Sequence, residues 1–396
     1  MRQVLFGARL FDGVRMLDDA ALVIDGQRIA AIVPEAKRPD GAPCRDLGGG
    51  VLAPGLIDAQ VNGGGGVLFN DIPTVEGIRT IAEAHRRDGT TGLLPTVVTD
   101  APDVLDAALA AGCAAVKTVP GVLGIHIEGP FIDSRRAGAH WPAYIRPLTE
   151  PDVARILAAK AGAMLITVAP AAASPQMIGR LSAGGAVVSI GHSDATDLEA
   201  FQAFDGGASG VTHLFNAMSP LGHRAPGVVG AALARADVIC GLIADGYHVA
   251  ATAVRVALAA KGSDGIALVS DAMSPVMGGP DEFTLQGRRV QRQRGRLVLD
   301  DGTLAGSAIT LMDAVRWIVR ALGVDLAIAL KMATLTPARL LRIDADYGRL
   351  APGFMASLVH ISDDFVVRET WVGGESQPGE RPKGVSSRFS EARDSD

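Results

Sequence analysis

Cysteine is scarce: Cys44, Cys113 and Cys240 are the only three in 396 residues, far apart in sequence and odd in number. That excludes a disulfide framework and a cysteine zinc knuckle, and it predicts reduced thiols in a cytoplasmic protein. No uninterrupted apolar run reaches 18 residues, so no membrane-spanning helix is expected. The opening stretch, MRQVLFGARLFDG, has neither the apolar core nor the small-residue cleavage site of a secretory signal. Clusters of Lys and Arg are also missing and the net charge is −6, which argues against nucleic acid as a partner.

What the chain does have is enough apolar residue, 48%, to bury a large core. From Leu56 onward, eight β-like runs alternate with Ala-rich helical stretches. They are LIDAQVNG (56–63), TGLLPTVVT (91–99), GVLGIHIEG (121–129), MLITVAP (164–170), AVVSIGHS (186–193), GVTHLFNA (210–217), VICGLIADG (238–246) and GIALVSDA (265–272). Eight repeated βα units predict an α/β fold, a (β/α)8 TIM-type barrel over residues 53–346. The ends have a different texture, with short alternating runs and Gly, Asp and Pro turns over 1–52 and 347–376. These predict a small antiparallel β-sandwich built from both termini. The polar stretch 377–396 is predicted to be disordered.

Four of the eight runs deliver a chemical group to the C-terminal rim, where parallel barrels build their active sites. Glu128, His192 and His213 end the third, fifth and sixth runs, and Asp271 ends the eighth. Singly, Glu128 could be a salt-bridge partner and either His a buried hydrogen-bonding residue. Together, at equivalent positions of the barrel, they predict a cation site with three protein ligands. Zinc is the first choice for one divalent ion per subunit, with iron, manganese or cobalt also compatible. Such an ion lowers the pKa of a bound water to about 7. Asp271, with no basic neighbour in sequence, is predicted to be the proton carrier, the alternatives being a fourth ligand or a helix cap.

The first run reads Gln60-Val61-Asn62, where two-metal barrel hydrolases carry His-x-His. Amides are poor zinc ligands, so a single metal is expected, with Gln60 reaching it through a water. His126 shares the strand side of Glu128 and is read as a barrel-interior hydrogen bonder, or as a further ligand. His85, His223 and His360 are read as structural or exposed. Asn216, Ala217, Arg224 and His248, on loops after the sixth and seventh runs, suit an anionic substrate. His140, after the third run, is placed to meet a substrate carbonyl oxygen.

The motifs APGLIDAQVNGGGGVLFND, GIHIEGPF, SIGHSDAT, THLFNAM, GLIADGYHV, VSDAM, GTLAGSAITLMDAVR and MATLTPARLL resemble those of N-acetylglucosamine-6-phosphate deacetylases, a family of the amidohydrolase superfamily. The resemblance spans most of residues 1–375. It implies a cytoplasmic homodimer that hydrolyses the acetamide of N-acetyl-D-glucosamine 6-phosphate to D-glucosamine 6-phosphate and acetate. It implies that Glu128, His192 and His213 bind the metal, that Asp271 is base and then acid, and that His140 contacts the acetamide carbonyl. By the same resemblance Asn216, the Ala217 backbone, His248 and an Arg224 reaching across the dimer hold the phosphate. The loop of Leu304, Ala305 and Gly306 would close over the sugar. The rival readings are an N-acetylgalactosamine-6-phosphate deacetylase, an amidohydrolase of another amide, and a non-catalytic sugar-phosphate-binding protein on the same barrel.

Overall fold

The computed structural model describes residues 2–380. Its centre is a run of eight parallel strands, each hydrogen-bonded to the next. They are β1 (Leu56–Val61), β2 (Thr90–Val98), β3 (Gly124–Glu128), β4 (Ala163–Val168), β5 (Val187–Ile190), β6 (Gly210–Val211), β7 (Ile239–Leu242) and β8 (Ile266–Leu268). Nearly every strand residue is buried, because helices cover the outer face while side chains fill the interior. Helix α1 (Val75–Arg86) follows β1, and the order continues with α2 (Pro102–Thr118), α3 (Glu150–Ala159), α4 (Pro175–Ala183), α5 (Asp197–Asp205), α6 (Gly227–Ala234), α7 (Ala251–Lys261) and α8 (Leu311–Leu322). Thr149, Thr196 and Thr310 open α3, α5 and α8 with capping boxes, which fix where each loop yields to helix.

The barrel closes just beyond the end of β8. There Val61 bridges Ala272, Asp271 N–H donates to Gln60 O at 3.0 Å, and Asn62 N–H donates to Ala272 O at 2.9 Å. The seam therefore lies at the predicted proton carrier. Beneath the rim His126 bonds Thr96 Oγ1 at 3.2 Å and Thr167 Oγ1 at 2.8 Å, which places it in the barrel interior and away from the ligand set.

The two ends of the chain form a four-stranded and a six-stranded sheet. Leu5, Leu22 and Ile24 of the first pack against Leu10, Leu52, Leu358 and Trp371 of the second. The pairing corrects the expected antiparallel arrangement. Arg2–Phe6 runs parallel to Cys44–Asp46, and Arg9–Phe11 runs parallel to Val51–Pro54, so the sheets are mixed. The sheet also outruns the expected boundaries, since Val51–Pro54 pairs with Leu358–Ile361 and the last strand is Glu375–Pro378. Gln377 and Pro378 sit opposite Thr370 and Glu369, so the expected tail does not begin at 377; residues 381–396 lie outside the described residues.

One element has no counterpart in the sequence reading. Between β8 and α8 the chain makes a three-stranded antiparallel sheet, Glu282–Leu285, Arg288–Gln293 and Arg296–Leu299. Its apolar face packs Leu285, Val290, Leu297 and Leu299 on Leu68, Met273 and Ala305. One turn is fixed by Gln286 and Arg288, which donate to Thr99 O and Ala139 O, and the other by Arg296 over the Tyr247 ring. The sheet thus spans the barrel mouth from the loops after β2 and β3 to the loop after β7.

Candidate functional site

Glu128 is the last residue of β3, whereas His192, His213 and Asp271 lie two, two and three residues beyond their strands. These three have φ of 46°, 30° and 52°, and Ala217 has 49°. Non-glycine residues in this region carry strain of about 1–3 kcal/mol each, and such residues cluster at functional sites. The turns aim the side chains inward over the rim.

Glu128 Oε1 lies 2.9 Å from His213 Nε2 and 3.2 Å from His192 Nε2, and the two imidazole nitrogens are 3.0 Å apart. All three residues are buried. Metal bonds of about 2.0–2.2 Å in a tetrahedron set ligand atoms about 3.3–3.6 Å apart, so a small cation fits with only slight spreading. His192 Nδ1 donates to Arg136 O at 2.9 Å, which frees Nε2 as a lone pair, the usual arrangement behind a metal ligand. His213 Nδ1 has no partner among the described residues. His140 offers a further nitrogen, since Glu128, His140 and His192 have ligand atoms within 4.8 Å of one another. We take His213 as the third member because its contacts are much the shorter. The Glu128 carboxyl is held well below its usual range: burial would raise it, and the His192 and His213 imidazoles that face it outweigh that. His213 is raised for the complementary reason, its Glu128 bond overcoming burial.

Asp271 stands across the same cavity. Burial, then the Glu128 charge, push its carboxyl up to about 6, against the pull of His213, His248 and a hydrogen bond from Asn62. A carboxyl poised there exchanges protons readily near neutral pH. Two amides grip one of its oxygens: Asn62 Nδ2 donates to Oδ1 at 2.6 Å and Gln60 Nε2 at 3.1 Å. Gln60 Nε2 also reaches both Glu128 oxygens, at 3.1 and 3.0 Å. Gln60 thus bonds the two carboxylates and is not among the residues lining the cavity.

The cavity holds about 420 Å³, and the other predicted residues divide around it. His140 accepts the Thr99 N–H at Nδ1, 3.3 Å away, with Thr99 Oγ1 at 2.7 Å; Nε2 therefore carries the proton. Burial, reinforced by His192, drives its pKa well down, so it is a neutral donor. Asn216, Ala217 and His248 also line it, as do Leu304, Ala305 and Gly306 under the three-stranded sheet. A Cβ on Gly306 would lie 2.6 Å from Met273 and 2.9 Å from Asp271 O, so this wall requires glycine. Arg224 is exposed on its loop and does not line the cavity of its own chain.

Four participants escaped the sequence reading. Asp245 accepts from His248 Nδ1 at 2.7 Å and fixes that ring; the spacing Asp-x-x-His was the available signal. Arg135 and Arg136 line the mouth, tied to Asp133 and Asp194. Asn62 lines the cavity beside Asp271, although sequence marked it only as a missing imidazole.

Imidazole and carboxylate donors on the C-terminal rim of a parallel barrel mark out the metal-dependent barrel hydrolases. Within that class the chain belongs to the amidohydrolase family, whose model matches residues 51–376, and to the N-acetylglucosamine-6-phosphate deacetylase family inside it. Residues 4–52 match the NagA composite domain. An N-acetylgalactosamine-6-phosphate deacetylase of Shewanella sp. is 43% identical over 83% of this chain and 84% of its own. An N-acetylglucosamine-6-phosphate deacetylase of Haemophilus influenzae is 36% identical over 95% and 99%. The crystal structure of the Pasteurella multocida N-acetylglucosamine-6-phosphate deacetylase superposes with a TM-score of 0.93 at 34% identity, covering 96% of this chain and 100% of that one. No helix among the described residues is long and apolar enough to cross a membrane.

Proposed function

We propose that this protein is a metal-dependent deacetylase that hydrolyses N-acetyl-D-glucosamine 6-phosphate to D-glucosamine 6-phosphate and acetate, in amino-sugar catabolism and recycling. The observation that carries the reading is the convergence of Glu128 Oε1, His192 Nε2 and His213 Nε2 within 3.2 Å, facing Asp271 across one cavity. Those three residues hold one divalent cation, zinc before iron, manganese or cobalt. When bound, the cation supplies Lewis acidity to the acetyl carbonyl and makes water a stronger nucleophile at neutral pH.

The chain's own groups do the rest. Asp271 takes a proton from the attacking water and returns it to the departing nitrogen, because an amide nitrogen leaves only when protonated. His140 donates its Nε2–H to the carbonyl oxygen as negative charge grows there. Asn216, the Ala217 backbone and His248 receive the phosphate, and Arg224, exposed and outside the lining of its own cavity, serves the neighbouring subunit of a cytoplasmic homodimer. Leu304, Ala305 and Gly306 wall the sugar, and Gln60 positions the two carboxylates. The chain divides into this catalytic barrel and an accessory β unit made from both ends.

The galacto epimer is the second reading, because the Shewanella relative at 43% identity carries that name. Acetate release from the gluco and galacto 6-phosphates and their unphosphorylated parents, with metal content measured on the same sample, tests both. Rapid release from the gluco 6-phosphate supports the first reading. Preference for the galacto compound favours the second, and no release from either 6-phosphate by metal-loaded protein refutes both.

A further inference from the structure

His140 works from a loop. It lies between the end of β3 at Glu128 and the start of α3 at Glu150, and its ring partner Thr99 is one residue past the end of β2. Thr99 holds Nδ1 by its N–H at 3.3 Å and its Oγ1 at 2.7 Å, so the direction of the opposite Nε2–H is only as fixed as the two loops that carry the pair. A donor to a growing oxyanion acts by being in place beforehand, and a misplacement of about 1 Å can cost about 10²-fold in rate.

One turn of the three-stranded sheet reaches both loops. Gln286 and Gly287, with φ of 51° and 77°, form the tight two-residue hairpin that pairs Leu285 with Arg288. On one side Gln286 Nε2 donates to Thr99 O and, at 3.2 Å, to Asp100 Oδ2. On the other, Arg288 Nη2 donates to Ala139 O, and its guanidinium lies 5.2 Å from the centre of the Trp141 ring, within cation–π range. The turn therefore grips the residue bonded to the His140 ring and the residues just before and after His140. We propose that Gln286 and Arg288 are positioning residues for His140, so that the sheet over the mouth sets the direction of the oxyanion donor through this one turn. Leu285, the next residue along, lines the cavity, so the same turn joins a wall of the substrate site to the group that meets the reacting carbonyl.

The inference rests on the deacetylase reading for the task of His140, whereas the grip itself is measured without substrate. In metal-loaded protein, Gln286→Ala combined with Arg288→Met should speed amide exchange across 137–141 by about 3- to 10-fold, the range of one hydrogen bond, and leave β4 to β7 unchanged. The pair should lower kcat for acetate release about 10- to 10²-fold, with KM within about threefold. In a His140→Ala background the same pair should cost less than about twofold, because the donor it aims is gone. Arg288→Lys, which keeps a donor for Ala139 O, should retain most of the rate. Unchanged exchange at 137–141, a harmless His140→Ala, or a loss of the same factor in both backgrounds overturns the inference; a fall in melting temperature alone would leave the turn a mere anchor for the sheet. Failure of the unsubstituted enzyme to release acetate would instead overturn the deacetylase reading, with amide exchange still deciding the grip.

Discussion

Glu128→Gln removes the one charge of the proposed metal platform without changing its volume. Oε1 lies 2.9 and 3.2 Å from the two imidazole nitrogens, and Gln60 donates to both carboxylate oxygens. A glutamine there must turn an NH2 towards either Gln60 or the cation, so one donor always meets another positive group. Breaking a buried charge pairing costs about 3–5 kcal/mol, which is a loss of at least roughly 10²-fold, and up to several thousandfold, in metal affinity. Calorimetry converts this to temperature. A cation at 100 times its Kd stabilises the fold by about 2.7 kcal/mol. With an unfolding entropy of about 2.1 cal/mol/K per residue over 396 residues, that raises the melting temperature by about 3 °C. At the same cation concentration the variant should gain about 0.5 °C or less, and it should retain no stoichiometric metal after desalting. A variant that shifts as far as its parent would refute the assignment of Glu128 as a ligand.

Asp271→Asn should lower acetate release by about 10²- to 10⁴-fold with metal content unchanged, and near-normal turnover would remove the proton-carrier role. Asp58, buried under the seam, is lifted to about 7 by burial against bonds from Ser270 and Gln60. The folded chain then keeps a proton that the unfolded chain releases, so stability should fall as pH rises from about 4 to 7 and level off above. In urea unfolding, Asp58→Asn should remove up to about 1.4 kcal/mol per pH unit of that slope; parallel curves would contradict it. Arg316, 6% exposed, pairs with Asp88 at 2.8 Å and Asp313 at 2.9 Å and donates to Phe365 O, joining α8 to the turn before β2 and to the C-terminal hairpin. Asp88→Ala leaves Arg316 its Asp313 and Phe365 partners and strips Nη2 of its own, so it should cost about 1–3 kcal/mol by the same measurement, where no measurable loss would show the network to be expendable.

The barrel was legible because parallel strands buried on both faces read as continuous apolar runs, and AVVSI and GIALV leave little else to predict. The rim was legible because each such run breaks on a single polar group. The exact strand ends were hidden. β6 is only Gly210–Val211, and His213 is aimed by a left-handed turn that no periodicity encodes. The three-stranded sheet over the mouth went unseen because RRVQRQRGRLVLD alternates too weakly beside a barrel run. Gln60 and Asn62 read as lost imidazoles. Their work depends on which end of an amide faces a carboxylate, a matter of position rather than composition.

The sheet formed by both ends of the chain also sets the order in which the molecule can be made. Val51–Pro54 finds its partner strand in Leu358–Ile361. At synthesis rates of about 5–20 residues per second, that partner leaves the ribosome roughly 15–60 seconds later. For that interval the N-terminal sheet has an uncovered edge, while the whole barrel is threaded out behind it. The barrel strands are thus all made before the six-stranded sheet can be completed, and that sheet is a clasp fastened only when translation is nearly over.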